Sequence, residues 1–388
     1  MTPRYRTALS LIVLLAGAVS LFGQTKTVRN NLLELQCDPL TARWSLATVQ
    51  GLPDLPSDDI HPLTGTGLNS FCIVRIDAVD HKYGSSDGKL TLLPSGPSAI
   101  LHSWTVNNIE ILQELKLTNS SHIVLPGSIK VRYWVRNKDI AAHNIGLRVV
   151  LDTFLGANDD AEIIVPAAAA YIVKETTFRS TAVPDWWCSW DSISTPYARA
   201  VMSFTSPGTV RPDILAFASR KRLAETAWDF FPDGQKDFRP TPLEPPDPAV
   251  GLTWAPIPFR PGRENGVAFQ FGFQDASAST MPPLELILVS PVTVQTGVIV
   301  FLAEVRNTDP SKAVKNLTVK LVLPSGVSLI ANGTAEIKIP ELAAAGRTFV
   351  SWRVRLKEPG PKEFQCSAAG TMGSEIALNQ VKRTVIVR

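Results

Sequence analysis

The run VSWRVRLK at residues 350–357 sets apolar Val350, Trp352, Val354 and Leu356 against polar Ser351, Arg353, Arg355 and Lys357. A side chain changes face at every residue only in a strand, so this period of two describes a strand with one packed face and one solvated face. Working outward, Leu317, Val319, Leu321 and Leu323 repeat the pattern up to the turn Pro324-Ser325-Gly326. Shorter versions stand at Ala335-Ile337-Ile339 and Phe364-Cys366, and residues 298–305 and 381–387 add two more. About seven strands over roughly 105 residues fit a β-sandwich. In the other direction IKVRYWVR, residues 129–136, alternates Ile129, Val131, Tyr133 and Val135 with Lys130, Arg132, Trp134 and Arg136. Residues 109–117 and 145–151 read as further strands, and helical periodicity is confined to weak stretches at 167–171 and 221–228. The expected class is all-β.

The chain has 388 residues, more than one ordinary domain needs, and 45% hydrophobic content is enough for packed cores. Its first 23 residues read as an export signal. Arg4 and Arg6 precede an uncharged run from Ala8 to Gly23, with small residues at Ala16, Ala18 and Ser20. That run is shorter than the ~20 apolar residues of a membrane span, so a removable leader and a secreted or periplasmic mature protein are expected. With 38 basic and 35 acidic residues and no run of five like charges, neither nucleic acid nor a polybasic membrane contact is indicated. Cys37, Cys72, Cys188 and Cys366 allow three full pairings; only Cys37 and Cys72 are moderately close, and the pairing stays open.

Two resemblances follow from longer segments. The run "FLAEVRNTDPSKAVKNLTVKLVLPSGVSL" followed by "IPELAAAGRTFVSWRVR" resembles the Ig-like modules of bacterial secreted and surface proteins, over residues 284–388. Such modules serve as spacers or adhesion elements. "IGLRVVLDTFLGANDDA" (145–161) and "DPAVGLTWAPIPFRPGRENGVAFQFGF" (247–273) resemble secreted domains of the galactose-mutarotase-like supersandwich type. This second resemblance implies a large antiparallel supersandwich over residues 25–275, in a superfamily of sugar epimerases, domains of polysaccharide lyases and hydrolases, and members without known activity. "ASASTMPP", residues 276–283, reads as the linker between the two.

Candidate chemistry is sparse. Gly84-Ser85-Ser86-Asp87-Gly88 matches the GxSxG pattern of hydrolases, but polar neighbours and a following strand make it a hairpin loop rather than a nucleophile elbow. Asp152, Asn158, Asp159 and Asp160 gather four oxygen donors within nine residues, a candidate calcium site on a turn; no other cofactor is indicated. Trp186, Trp187, Trp190, Trp228 and Trp254 are over half of the nine tryptophans. Flat rings pack on the C–H faces of sugars, so Trp186, Trp187 and Trp190 with Asp185 or Asp191 form the candidate carbohydrate site, set against the commoner use of such rings as core. Acid–base chemistry would draw on His102, His122 or His143 with Glu110, Glu114 or Asp152, which no spacing pairs.

Three functions are left open by these residues: a non-catalytic protein binding extracellular polysaccharide or a cell-surface component, a glycan-active enzyme of epimerase, lyase or hydrolase type, and a structural or adhesive protein-binding module. The groups lining the open face of the large sandwich discriminate among them.

Overall fold

The computed structural model describes residues 25–30, 33–49, 68–118, 127–155, 160–165, 170–190, 199–239, 241–273, 277–291, 293–330 and 333–388. The leader, His122, Asn158, Asp159 and Asp191 lie outside them. Strand accounts for 62% and helix for 3%, against ~30–35% helix in an average domain. The all-β class is therefore observed, with five sheets among the described residues.

A six-stranded sheet and a nine-stranded sheet face each other before residue 274. The strand Ser128–Asn137 shows how alternation builds that pairing: Ile129, Val131, Tyr133 and Val135 are buried, while Trp134 and Arg136 are exposed. The same parity in Ile109–Thr118 and Ala99–Val106 contributes Ile111, Leu115, Ile100 and Trp104 to one large core. The six-stranded sheet supplies Val74, Leu147 and Val149 from the other side, and a three-stranded sheet closes one edge with Leu33, Leu35 and Trp44. The six-stranded sheet's back is covered by a smaller cluster around Phe71, Ile73, Val150, Leu223 and Trp228. Leu223 comes from the helix Arg220–Glu225, where Ser219 accepts from the Arg222 amide at 3.4 Å as N-cap.

After residue 276 the chain forms two five-stranded sheets around a second core, with Phe301 and Phe364 at a centroid separation of 4.2 Å. Trp352 is 3% exposed in that core, as the alternation of 350–357 requires. One pairing here is parallel, Thr293–Val294 with Ile386 and Val387. Within the segment read as a linker, Ser277–Met281 is a strand paired antiparallel with Leu284–Val289. Small residues and threonine, read as part of a short stiff linker, serve equally well on a sheet edge.

Three further readings are corrected. The stretch around 167–171 holds the strand Ala170–Ile172 rather than a helix. Gly84–Gly88 is no hairpin: the strands on either side, Val79–Lys82 and Lys89–Leu93, belong to different sheets, and the turn carries the chain between them. Cys37 and Cys72 are separate buried thiols, and burial pushes both upward in pKa.

Candidate functional site

The tryptophan-rich segment is not an exposed platform. Trp186, Trp187 and Trp190 lie on the strand Trp186–Trp190, every residue of which is buried. Trp187 packs inward against Phe217 and Phe271. Trp186, Cys188 and Trp190 face the other way, onto Ile287, Val289 and Leu302 of the C-terminal sandwich. The Trp186 indole donates to the Val300 carbonyl at 2.9 Å, satisfying the one polar atom that burial would otherwise strand. A strand buried on both faces has no polar parity, which is why WWCSW gave no sign of its facing. Trp228 and Trp254 are 9% and 6% exposed. Asp185 is ion-paired to Arg211.

Of the four calcium candidates, Asp152 and Asp160 are among the described residues, and Asn158 and Asp159 are not. Asp152 accepts from Asn69 Nδ2 at 3.1 Å, and Arg220 Nε stands 3.6 Å from its carboxylate. No cluster of three metal-ligating side chains occurs among the described residues.

The histidines and glutamates are separated by the sheet itself. His102 has the inward parity of Ile100 and Trp104, and burial depresses it to about 4. His143 sits on the other sheet between Asp77 at 2.5 Å and Asp139 at 3.3 Å, and the Asp77 contact leads in raising its pKa. Glu110 and Glu114 point outward from the nine-stranded sheet, into the open cleft that the sequence did not single out.

That cleft has a volume of about 360 Å³ and is lined by Leu101, Glu110, Leu112, Glu114, Arg132, Trp134, Arg136 and Glu264. Register builds it. Two adjacent strands place Glu114 beside Arg132, Leu112 beside Trp134, and Glu110 beside Arg136; a third adds Gly266 beside Trp134 and Glu264 beside Arg136. The glycine is decisive, because a Cβ at residue 266 would stand 2.5 Å from Trp134 Cε3. Without that atom the indole lies over the neighbouring backbone rather than standing off the sheet. Of nine tryptophans Trp134 alone is exposed, at 39%.

Paired charges surround the ring. Glu114 meets Arg132 at 3.2 Å and Glu110 meets Lys138 at 2.9 Å. Glu264 is bonded to Arg136 and accepts from the Trp134 indole at 3.3 Å. Its carboxyl is held below the usual range, chiefly by the Arg136 hydrogen bond. Arg132 lies 5.7 Å from the ring centroid, at the edge of cation–π range. Exposed pairs of this kind add little stability. Their effect is to hold carboxylates and guanidinium groups, acceptors and donors for hydroxyls, at fixed places around an apolar ring.

The signal for this site was present in the alternation of 129–136, where Trp134 shares the parity of Lys130, Arg132 and Arg136. A bulky apolar ring on a strand's charged face is the anomaly; tryptophan density pointed elsewhere.

No protein-family model and no curated protein matches this sequence. Among solved structures the chain is similar to a polysaccharide lyase at 12% identity and TM-score 0.36, over 94% of this chain and 47% of that one, so it spans about half the lyase's length. It is similar to a galactose mutarotase-like protein from Lactobacillus casei at 11% identity and TM-score 0.36, over 64% of this chain and 100% of that one. A third likeness is to Escherichia coli alpha-2-macroglobulin activated by porcine elastase, at 13% identity and TM-score 0.23, over 94% of this chain and 44% of that one. These likenesses assign no residue a role.

Proposed function

We propose that this chain is an exported carbohydrate-binding protein that lays a glycan across Trp134 on the open half of the nine-stranded sheet. In this reading residues 25–275 are a galactose-mutarotase-like supersandwich and residues 284–388 an Ig-like module that supports it. The observation that carries the reading is the lone exposed indole, laid over Gly266 and ringed by ion-paired carboxylates and guanidinium groups. An apolar face with polar groups at its rim suits a sugar, which presents C–H bonds on one side and hydroxyls at its edge. The volume lies within the ~300–1,000 Å³ of small-ligand pockets.

Affinity electrophoresis of the leaderless protein against a panel of soluble polysaccharides tests it. Retardation by at least one polysaccharide is expected, weakened about thirtyfold in Trp134→Ala, the ~2 kcal/mol of a hot-spot aromatic. No retardation by any, or equal retardation of the variant, overturns the site. Depolymerisation of the bound polysaccharide would replace the binding reading by an enzymatic one.

A further inference from the structure

A second cleft, of about 500 Å³, opens along the seam between the two sandwiches. Thr181, Asp185, Thr205 and Arg211 line it from the N-terminal side, Gln295 and Arg353 from the C-terminal side. The walls are fixed relative to each other. The Gln295 amide donates to the Thr205 carbonyl at 3.0 Å, Ser206 Oγ donates to the Thr293 carbonyl at 3.4 Å, and the Trp186 indole bridges to Val300.

The charges in this cleft do not balance. Among the described residues Asp185 is its one lining carboxylate, and it is already paired with Arg211. Arg353 stands exposed on the opposite wall with no ion-pair partner among the described residues. The two guanidinium groups feel each other: burial first, and then the Arg353 charge, lower the Arg211 pKa. Arg353 on one wall and the Asp185-paired Arg211 on the other, with threonine hydroxyls and a glutamine amide along the lining, give the cleft a positive balance that suits an anion carrying hydroxyls.

A line of outward side chains leads from the Trp134 face toward the loop that borders the cleft. Along the strand Ser128–Asn137 the outward positions run from Trp134 through Arg132 to Lys130, about 13 Å at ~3.3 Å per residue. Lys130 Nζ donates to the Pro207 carbonyl at 2.7 Å, in the loop that supplies Thr205 and Arg211. The charge changes along this path, from balanced pairs around Trp134 to an excess of cations at the seam.

We infer that the seam cleft is a subsite for the carboxylate of an acidic saccharide, held between Arg211 and Arg353, so that the glycan lying on Trp134 is a uronate-containing chain. The inference rests on the glycan-binding reading and names its ligand class. It is tested by calorimetric titration of the leaderless full chain with hexameric oligogalacturonate and with its fully methyl-esterified counterpart. At low salt the acid form is expected to bind about tenfold more tightly, as a charge-assisted hydrogen bond supplies. Arg353→Gln is expected to abolish that preference, bringing the affinity for the acid form down to that for the ester. Equal wild-type affinity for the two forms, or a preference that survives Arg353→Gln, overturns the subsite. When both forms bind equally and both are lost in Trp134→Ala, only the subsite fails; when neither binds the wild type, the uronate assignment fails, and the glycan reading falls with it only if the polysaccharide panel also leaves the protein unretarded. Displacement of the acid hexamer by sodium sulfate at matched ionic strength would assign the cleft to anions in general and overturn its assignment to a saccharide.

Discussion

Each tryptophan in this chain answers to a different constraint, and the smallest neighbour decides the one that matters most. Trp352 is a core ring at 3% exposure, enclosed by the second apolar cluster. Its replacement by alanine is expected to cost ~3–5 kcal/mol in denaturant unfolding, as large-to-small core changes do. Trp134 is different, since its place on the sheet depends on the atom that Gly266 lacks. Gly266→Val should lift the indole off the backbone without touching the core. Saccharide affinity is then expected to fall nearly as far as in Trp134→Ala, with a shifted indole emission and an unfolding midpoint close to wild type. Retained affinity would show that the ring's flat placement is irrelevant. Residue identity alone did not disclose this pair: Gly266 and Trp134 are far apart in sequence, and only the antiparallel register brings them side by side.

At the scale of elements, parity explains both what could be read and what could not. Strands with one wet face, such as Ser128–Asn137 and Arg347–Leu356, carry their facing in their own alternation. Trp186–Trp190 is packed on both sides and carries none, so its rings looked available when they were the seam. Ser277–Met281 was missed for the opposite reason, as small polar residues leave little apolar pattern even though they pair with Leu284–Val289. The seam also holds ionisable groups. Tyr171 packs edge-on to Phe349 at 4.9 Å, with Arg347 over its ring at 4.7 Å. Beside them burial pushes Glu162 up to about 7, with Arg347 opposing the rise and Asp160 and Glu304 adding to it. A carboxyl raised in the folded state contributes stability that is fully present below its unfolded value near 4.5 and lost as pH rises through about 7. The Glu162→Gln variant is therefore expected to lose less stability than wild type between pH 4.5 and 7.5, by urea midpoints at pH steps across that window. Parallel curves for the two proteins would show that Glu162 is not desolvated at the seam.

For the whole molecule, one face of the nine-stranded sheet is divided. Its half containing Trp186 and Trp190 is covered by the C-terminal sandwich, while its half containing Trp134 is left open. Apolar packing and direct hydrogen bonds across the seam couple the two bodies, so calorimetry of the intact chain is expected to show one cooperative transition; two independent transitions would show that the seam contributes little to either. The central claim is that the open half receives the ligand. It is tested most directly by nitrogen-15 spectra of the nine indole N–H groups, recorded while an oligosaccharide derived from a bound polysaccharide is added. The account predicts a large, saturable shift of the Trp134 indole signal, with those of Trp186, Trp187 and Trp190 unmoved. Saturable binding that leaves Trp134 unshifted, or that moves the buried seam tryptophans instead, would contradict it.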